Sequence, residues 1–163
     1  MKKAFTMIEM IFVIVIIGIL AAVTIPRLTS ERDRAKAGIC AEEIGSLVTE
    51  ITTNYADLGY TGFQVLTISR LSNTKTSVLA TEGHSGITQA GTAEVISGIS
   101  YICEGGDTAN LGFSTFAAGN KDYNLTVTPV ATSDVPAAFI ASEIIAKNFK
   151  TNQNTAAHVG LSY

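Results

Sequence analysis

The stretch Phe5-Thr6-Met7-Ile8-Glu9-Met10, the apolar run from Ile11 to Val23 and the closing Thr24-Ile25-Pro26 decide how the rest of the chain is read. Apart from Glu9 the stretch holds no charge. At ~1.5 Å per residue, about 21 helical residues cover ~31 Å, the thickness of a bilayer's hydrocarbon core. Only Met1, Lys2, Lys3 and Ala4 precede it. The chain therefore opens with a membrane-length helix that carries one carboxylate. An acid at the centre of a spanning helix costs roughly 2.5–3.5 kcal/mol, and less toward the interface, where Glu9 lies about one turn in. Glu9 either snorkels to the headgroups without a role, or meets a positive partner inside an assembly.

The 163 residues carry a formal net charge of −3, which suits one modest domain plus this anchor. Setting residues 1–58 aside leaves about 105 residues, enough for a small core. The mean hydropathy of +0.32 owes much to the first helix. The slightly acidic balance gives no footprint for nucleic acid, and DNA capture would need a basic stripe the sequence lacks. Basic residues flank the apolar run on both sides: Lys2 and Lys3 before it, Arg27, Arg32, Arg34 and Lys36 after it. Charge bias alone leaves the orientation open. A secretory signal peptide fits poorly. The apolar stretch exceeds 7–15 residues, Leu20-Ala21-Ala22 is a weak cleavage site, and Glu9 sits where such a peptide is apolar.

Lys2-Lys3-Ala4 followed by Phe5-Thr6-Met7-Ile8-Glu9 resembles the leader and processing site of type IV prepilins and type II secretion pseudopilins. The resemblance covers residues 1 to about 36. It implies cleavage between Ala4 and Phe5 by a prepilin peptidase and N-methylation of Phe5. It also implies roles for Glu9 and Thr6 in assembly, and helix-weakening positions at Gly18 and Pro26. The family usually has Gly before the cut, where this chain has Ala4. By the same resemblance the N-terminus is cytoplasmic in a single-pass inner-membrane form. The remainder is periplasmic, then part of a surface filament. The implied partners are like or related pilin subunits, the inner membrane and its pilus or secretion assembly machinery. The leading reading is a non-enzymatic structural subunit of a type IV pilus-like filament. A type II secretion pseudopilin is the alternative, and a monomeric membrane-tethered binding domain is the rival from another class.

The rest of the chain suits an α+β, pilin-like fold. In this division residues 1–4 are leader, 5–29 the membrane and assembly helix, 30–58 an amphipathic spine helix and 59–163 the head. Ala37, Cys40, Ile44, Leu47, Val48, Ile51, Tyr55 and Leu58 recur at spacings of three and four, opposite Glu42, Ser46, Glu50, Thr53 and Asp57. Gly59 is expected to stop the helix. The run 63–68 reads equally as strand or helix, and 72–94 mostly as loop. Ile99–Cys103, Phe113–Phe116 and Tyr123–Thr128 read as strands, with turns at 104–107 and 119–122. A small antiparallel sheet against the spine follows. Ser133-Asp134-Val135-Pro136 opens a second helix, Ala137–Lys150, expected to bury Val135, Phe139, Ile144 and Ile145. The end, 158–163, offers a last short strand.

Catalytic patterns are weak, and no cofactor is implied. His84 and His158 have no ligand-spaced neighbour. Gly83-His84-Ser85-Gly86 lacks the final glycine of a nucleophile elbow, since Ile87 stands there. Cys40 and Cys103 both fall on faces assigned to the core. In an oxidising compartment they form a bridge worth roughly 4 kcal/mol; otherwise they are two buried thiols. Asn124-Leu125-Thr126, with Asp122 two residues before the Asn, is a candidate glycosylation acceptor. Asp107, Asn110, Asn120 and Asp122 offer oxygen atoms for Ca²⁺, but their spacing matches no motif and suits ordinary turns.

Overall fold

The computed structural model describes residues 5–72, 84–89, 92–115, 123–131, 133–151 and 157–161. Lys2, Lys3 and Ala4 lie outside the described residues, as do Gly83, Phe116, the 119–122 turn with Asn120 and Asp122, and Ser162-Tyr163. The chain divides into two compact units, one reaching Asp33 and the other starting at Arg34.

In the first unit, helix α1 (Met7–Gln64) begins. Its apolar side chains stand exposed, Ile14 at 64% and Leu28 at 64%. By length and composition this helix can cross a membrane. Helical dihedrals persist through Gly18 and Pro26. Pro26 has no N–H to give the preceding turn. Around it, Thr24 Oγ1 donates to the Leu20 carbonyl at 2.7 Å and Thr29 Oγ1 to the Pro26 carbonyl at 2.9 Å. Each hydroxyl so placed spends its own donor on the helix backbone, which leaves it no polar group to expose in a membrane.

In the second unit α1 buries Ala37, Cys40, Ala41, Ile44, Leu47, Val48, Ile51 and Tyr55. Two expectations fail here. Leu58 is 42% exposed. Glu50 is half-buried, and one of its carboxylate oxygens is buried with no hydrogen-bond partner among the described residues. Gly59 breaks the helix at φ 62°, ψ −178°, but helix resumes to Gln64 instead of stopping. The break turns Phe63 into the core, fully buried. There it meets Tyr55 edge-on at 5.3 Å, while Tyr60 stacks on Tyr123 at 5.1 Å. A glycine followed by two aromatic residues redirects the helix because burying those rings outweighs ending it.

Helix α2 (Ile68–Leu71) follows, so the ambiguous run 63–68 ends one helix, turns through 65–67 and opens another, with Thr67 bridged to Glu94. The sheet comprises β1 (Gly86–Ile87), β2 (Ile99–Cys103), β3 (Gly106–Thr115), β4 (Tyr123–Pro129) and β5 (Ala157–Leu161). It is antiparallel throughout in the order β1-β2-β3-β4-β5. A 3₁₀ turn, Val95–Ser97, leads into β2. The expected strand at 113 is the end of a longer one, which starts at Gly106 and takes in half of the expected 104–107 turn. β4 alternates buried Tyr123, Leu125, Val127 and Pro129 with half-buried partners, the period of two read in its sequence.

Helix α3 (Pro136–Asn148) packs on β3 and β4. Its buried face is Ala137, Ala138, Ala141, Ser142, Ile145 and Ala146. Phe139, expected inside, is 39% exposed, and Val135 and Ile144 are only half-buried. The cause is a close approach. A Cβ on Gly106 would stand 2.7 Å from the Ala138 Cβ and 2.8 Å from the Val135 Cβ. At that distance only small side chains fit under the helix, so the alanine face goes in and the larger residues turn out. Ser133 does not cap the helix either; its hydroxyl accepts the Val135 N–H at 3.3 Å, and Val135 is the N-cap.

Candidate assembly segment and the clamp on the head

The N-terminal segment is built around Thr6 and Glu9. The Thr6 N–H donates to Glu9 Oε2 at 2.9 Å, and the Thr6 hydroxyl donates to the same oxygen at 2.8 Å. The Glu9 N–H points back to Thr6 Oγ1 at 3.4 Å. This is a capping box: the first amides of a helix have no carbonyl partner, and a Thr and a Glu three residues apart satisfy them reciprocally. The carboxylate also stands at the positive end of the helix dipole. The family resemblance points to both residues for assembly and does not predict this local pairing. The Thr-x-x-Glu spacing before an apolar run was the available signal. The Glu9 carboxylate is thus partly solvated by its own helix through one oxygen, Oε2. Phe5 is 78% exposed beside it. No side chain comes within 4 Å of a Cβ built on Gly18.

On the head, α1 is fixed to the sheet by three side-chain links one helical turn apart. Cys40 and Cys103 form a disulfide with a Cα–Cα distance of 5.9 Å and a sequence separation of 63. Lys36, one turn earlier, pairs with Glu104. Glu43, on the next turn, accepts the phenolic hydrogen of Tyr101. Burial, reinforced by the hydrogen bond to Glu43 and by its charge, pushes the Tyr101 phenol well above its usual range. Ser85 completes the arrangement: its hydroxyl accepts the Glu104 N–H at 3.0 Å and lies 3.6 Å from Cys40 Sγ. Glu104 takes a left-handed φ of 52° so that the β2–β3 turn presents these groups to α1.

The remaining candidates do not converge. Asn124 lies inside β4, paired with Ser114 on one side and Gly160 on the other. Asp107 and Asn110 are exposed on β3. Among the described residues no cluster of three or more His, Cys, Asp or Glu could hold a metal. His84 precedes β1 and is exposed; its carbonyl accepts the Gly105 N–H at 2.6 Å. His158 lies in β5.

Comparison with known proteins bears on the same segment. The profile of the prokaryotic N-terminal methylation motif matches residues 1–25. The type IV major fimbrial protein FimA of Dichelobacter nodosus is 34% identical over 96 residues, covering 54% of this chain and 61% of that protein. The chain thus spans less than two thirds of this relative's length. No solved structure matches it. The chain is similar to type IV pilins in its N-terminal methylation motif and in its likeness to this fimbrial protein, and its long N-terminal helix, antiparallel sheet and C-terminal helix make up an α+β, pilin-like fold.

Proposed function

We propose that the chain is a structural subunit of a type IV pilus-like filament, assembled through α1 after a prepilin peptidase removes residues 1–4. The observation that carries this reading is the exposed, membrane-length helix that opens on the Thr6–Glu9 box inside the methylation motif. A globular protein does not leave such a surface open to water; a bilayer or neighbouring helices cover it. Residues 5–29 act first as a single-pass inner-membrane anchor with a cytoplasmic N-terminus, then as filament core. Residues 30–58 carry the head, 59–163, on the periplasmic and finally the surface side. Like or related subunits and the inner-membrane assembly machinery are its partners. The fimbrial relative favours the pilus over a secretion pseudopilus. Cleavage leaves Phe5 with a methylated, positively charged amine, four residues from Glu9. The amine of one subunit pairs with Glu9 of the next and sets the axial register, since a slipped neighbour leaves a buried carboxylate unpaired.

Intact mass of the membrane and surface fractions tests the reading. The expected product begins at Phe5 and carries one added methyl group. A chain that keeps Met1 in the surface fraction overturns the filament reading in favour of a monomeric tethered domain.

A further inference from the structure

Within the unit that begins at Arg34, an open groove of about 390 Å³ is lined by Arg34, Ile140, Glu143, Ile144 and Lys147. The four α3 residues recur at helical spacing on one face, distinct from the alanine face that meets the sheet. The groove presents two cations, one carboxylate and two isoleucines. None of the three charged side chains takes part in an ion pair among the described residues. Arg34 follows Leu28, the last large exposed apolar residue before the charged cluster, by six positions. Six residues span at most roughly 20 Å. In a bilayer, the groove wall is therefore tethered within reach of the headgroup layer.

We propose that this groove holds a phospholipid headgroup while the subunit is anchored in the membrane. The inference rests on the anchored state proposed above. The phosphate goes to Arg34 and Lys147: a guanidinium binds phosphate bidentately, and a lysine ammonium acts as a point charge. Glu143 gives the groove an acceptor, which disfavours a doubly anionic ligand and suits the primary ammonium of phosphatidylethanolamine. Ile140 and Ile144 cover the glycerol carbons. Docked this way, the head is held against the bilayer until assembly withdraws the helix.

The full chain in phosphatidylcholine nanodiscs with and without phosphatidylethanolamine provides the test. Hydrogen exchange across 136–148 is the readout, and co-purification with the discs reports insertion independently. The expected result is slower exchange in α3 when phosphatidylethanolamine is present. That protection is lost in Arg34→Gln/Lys147→Gln and reduced in Glu143→Gln. These residues are surface-exposed, and unchanged thermal unfolding confirms that each variant is folded. Equal exchange in both disc types, or unchanged protection in the double variant, overturns the groove assignment. So does protection that follows the number of subunits per disc, which assigns the groove to a second copy. A chain that does not co-purify with the discs instead overturns the anchored state.

Discussion

Tyr101 is 1% exposed and donates its phenolic hydrogen to Glu43. Tyr101→Phe leaves that carboxylate half-buried without its donor, and the expected loss is about 1–3 kcal/mol at neutral pH. The pH dependence has a definite sign. The folded phenol is held above its ordinary value of about 10.0 by burial and then by Glu43. A raised value contributes stability that is complete below about pH 10 and is lost as pH rises further, because the unfolded chain releases its proton first. Denaturant unfolding of parent and variant should therefore show a gap at neutral pH that narrows above pH 10. A gap that stays constant sinks the assignment. Nothing local marks this pair, because one ordinary tyrosine and one ordinary glutamate lie 58 positions apart. The Thr6–Glu9 box is the opposite case: both partners and their spacing are local, so the pattern was legible and needed only the capping rule.

Elements with a strong period were legible. β4 and the buried stripe of α1 repeat at two and at three or four, and apart from Leu58 both stand where the alternation puts them. Helix α3 was legible as an element and not as a face. Which side turns inward depends on how closely β3 approaches, and Gly106 sets that distance. Hydrophobicity alone favours Phe139, whereas the available space favours Ala138 and Ala141. Gly59 shows the same limit. A glycine after a helix reads as a stop, but the aromatic residues on both sides of it make it a bend. At φ 62°, ψ −178°, the backbone lies in a region that only glycine enters cheaply. Gly59→Ala should cost about 1–3 kcal/mol and should loosen the packing of Tyr60 and Phe63 on Tyr123. Near-ultraviolet circular dichroism reports the ring cluster directly. An unchanged aromatic signal together with unchanged stability would show that the bend carries no strain.

At the scale of the molecule, the head and the N-terminal helix depend on different interactions, and different variants separate them. The head relies on the clamp between α1 and the β2–β3 turn. Closing a separation of 63 residues stabilises by about 4 kcal/mol in the chain-entropy model. Cys40→Ala/Cys103→Ala should lower the unfolding free energy of the head by about that amount, and a parent-like denaturation midpoint would assign the stability elsewhere. In the N-terminal helix the Glu9 carboxylate caps its own helix through Thr6, and the proposed filament adds a second, separable role, in which its charge meets a neighbour's amine. Glu9→Gln keeps an acceptor for the Thr6 N–H and removes the charge. Thr6→Ala removes half of the cap, at a cost of about 1 kcal/mol to the first turn, and keeps the charge. Glu9→Ala removes both roles and also removes the cost of a carboxylate in hydrocarbon, so membrane insertion should persist or improve. Glu9→Asp keeps the charge on a shorter side chain and should assemble less well than the parent. Filament yield relative to membrane-inserted subunit is the quantity to compare. If intersubunit pairing drives assembly, Glu9→Gln and Glu9→Ala insert and form no filaments, while Thr6→Ala still assembles. If capping is the whole role, Glu9→Gln assembles like the parent and Thr6→Ala shares the defect of Glu9→Ala. Charge and cap thus give opposite rankings for the same two variants, and a single assembly measurement decides between them.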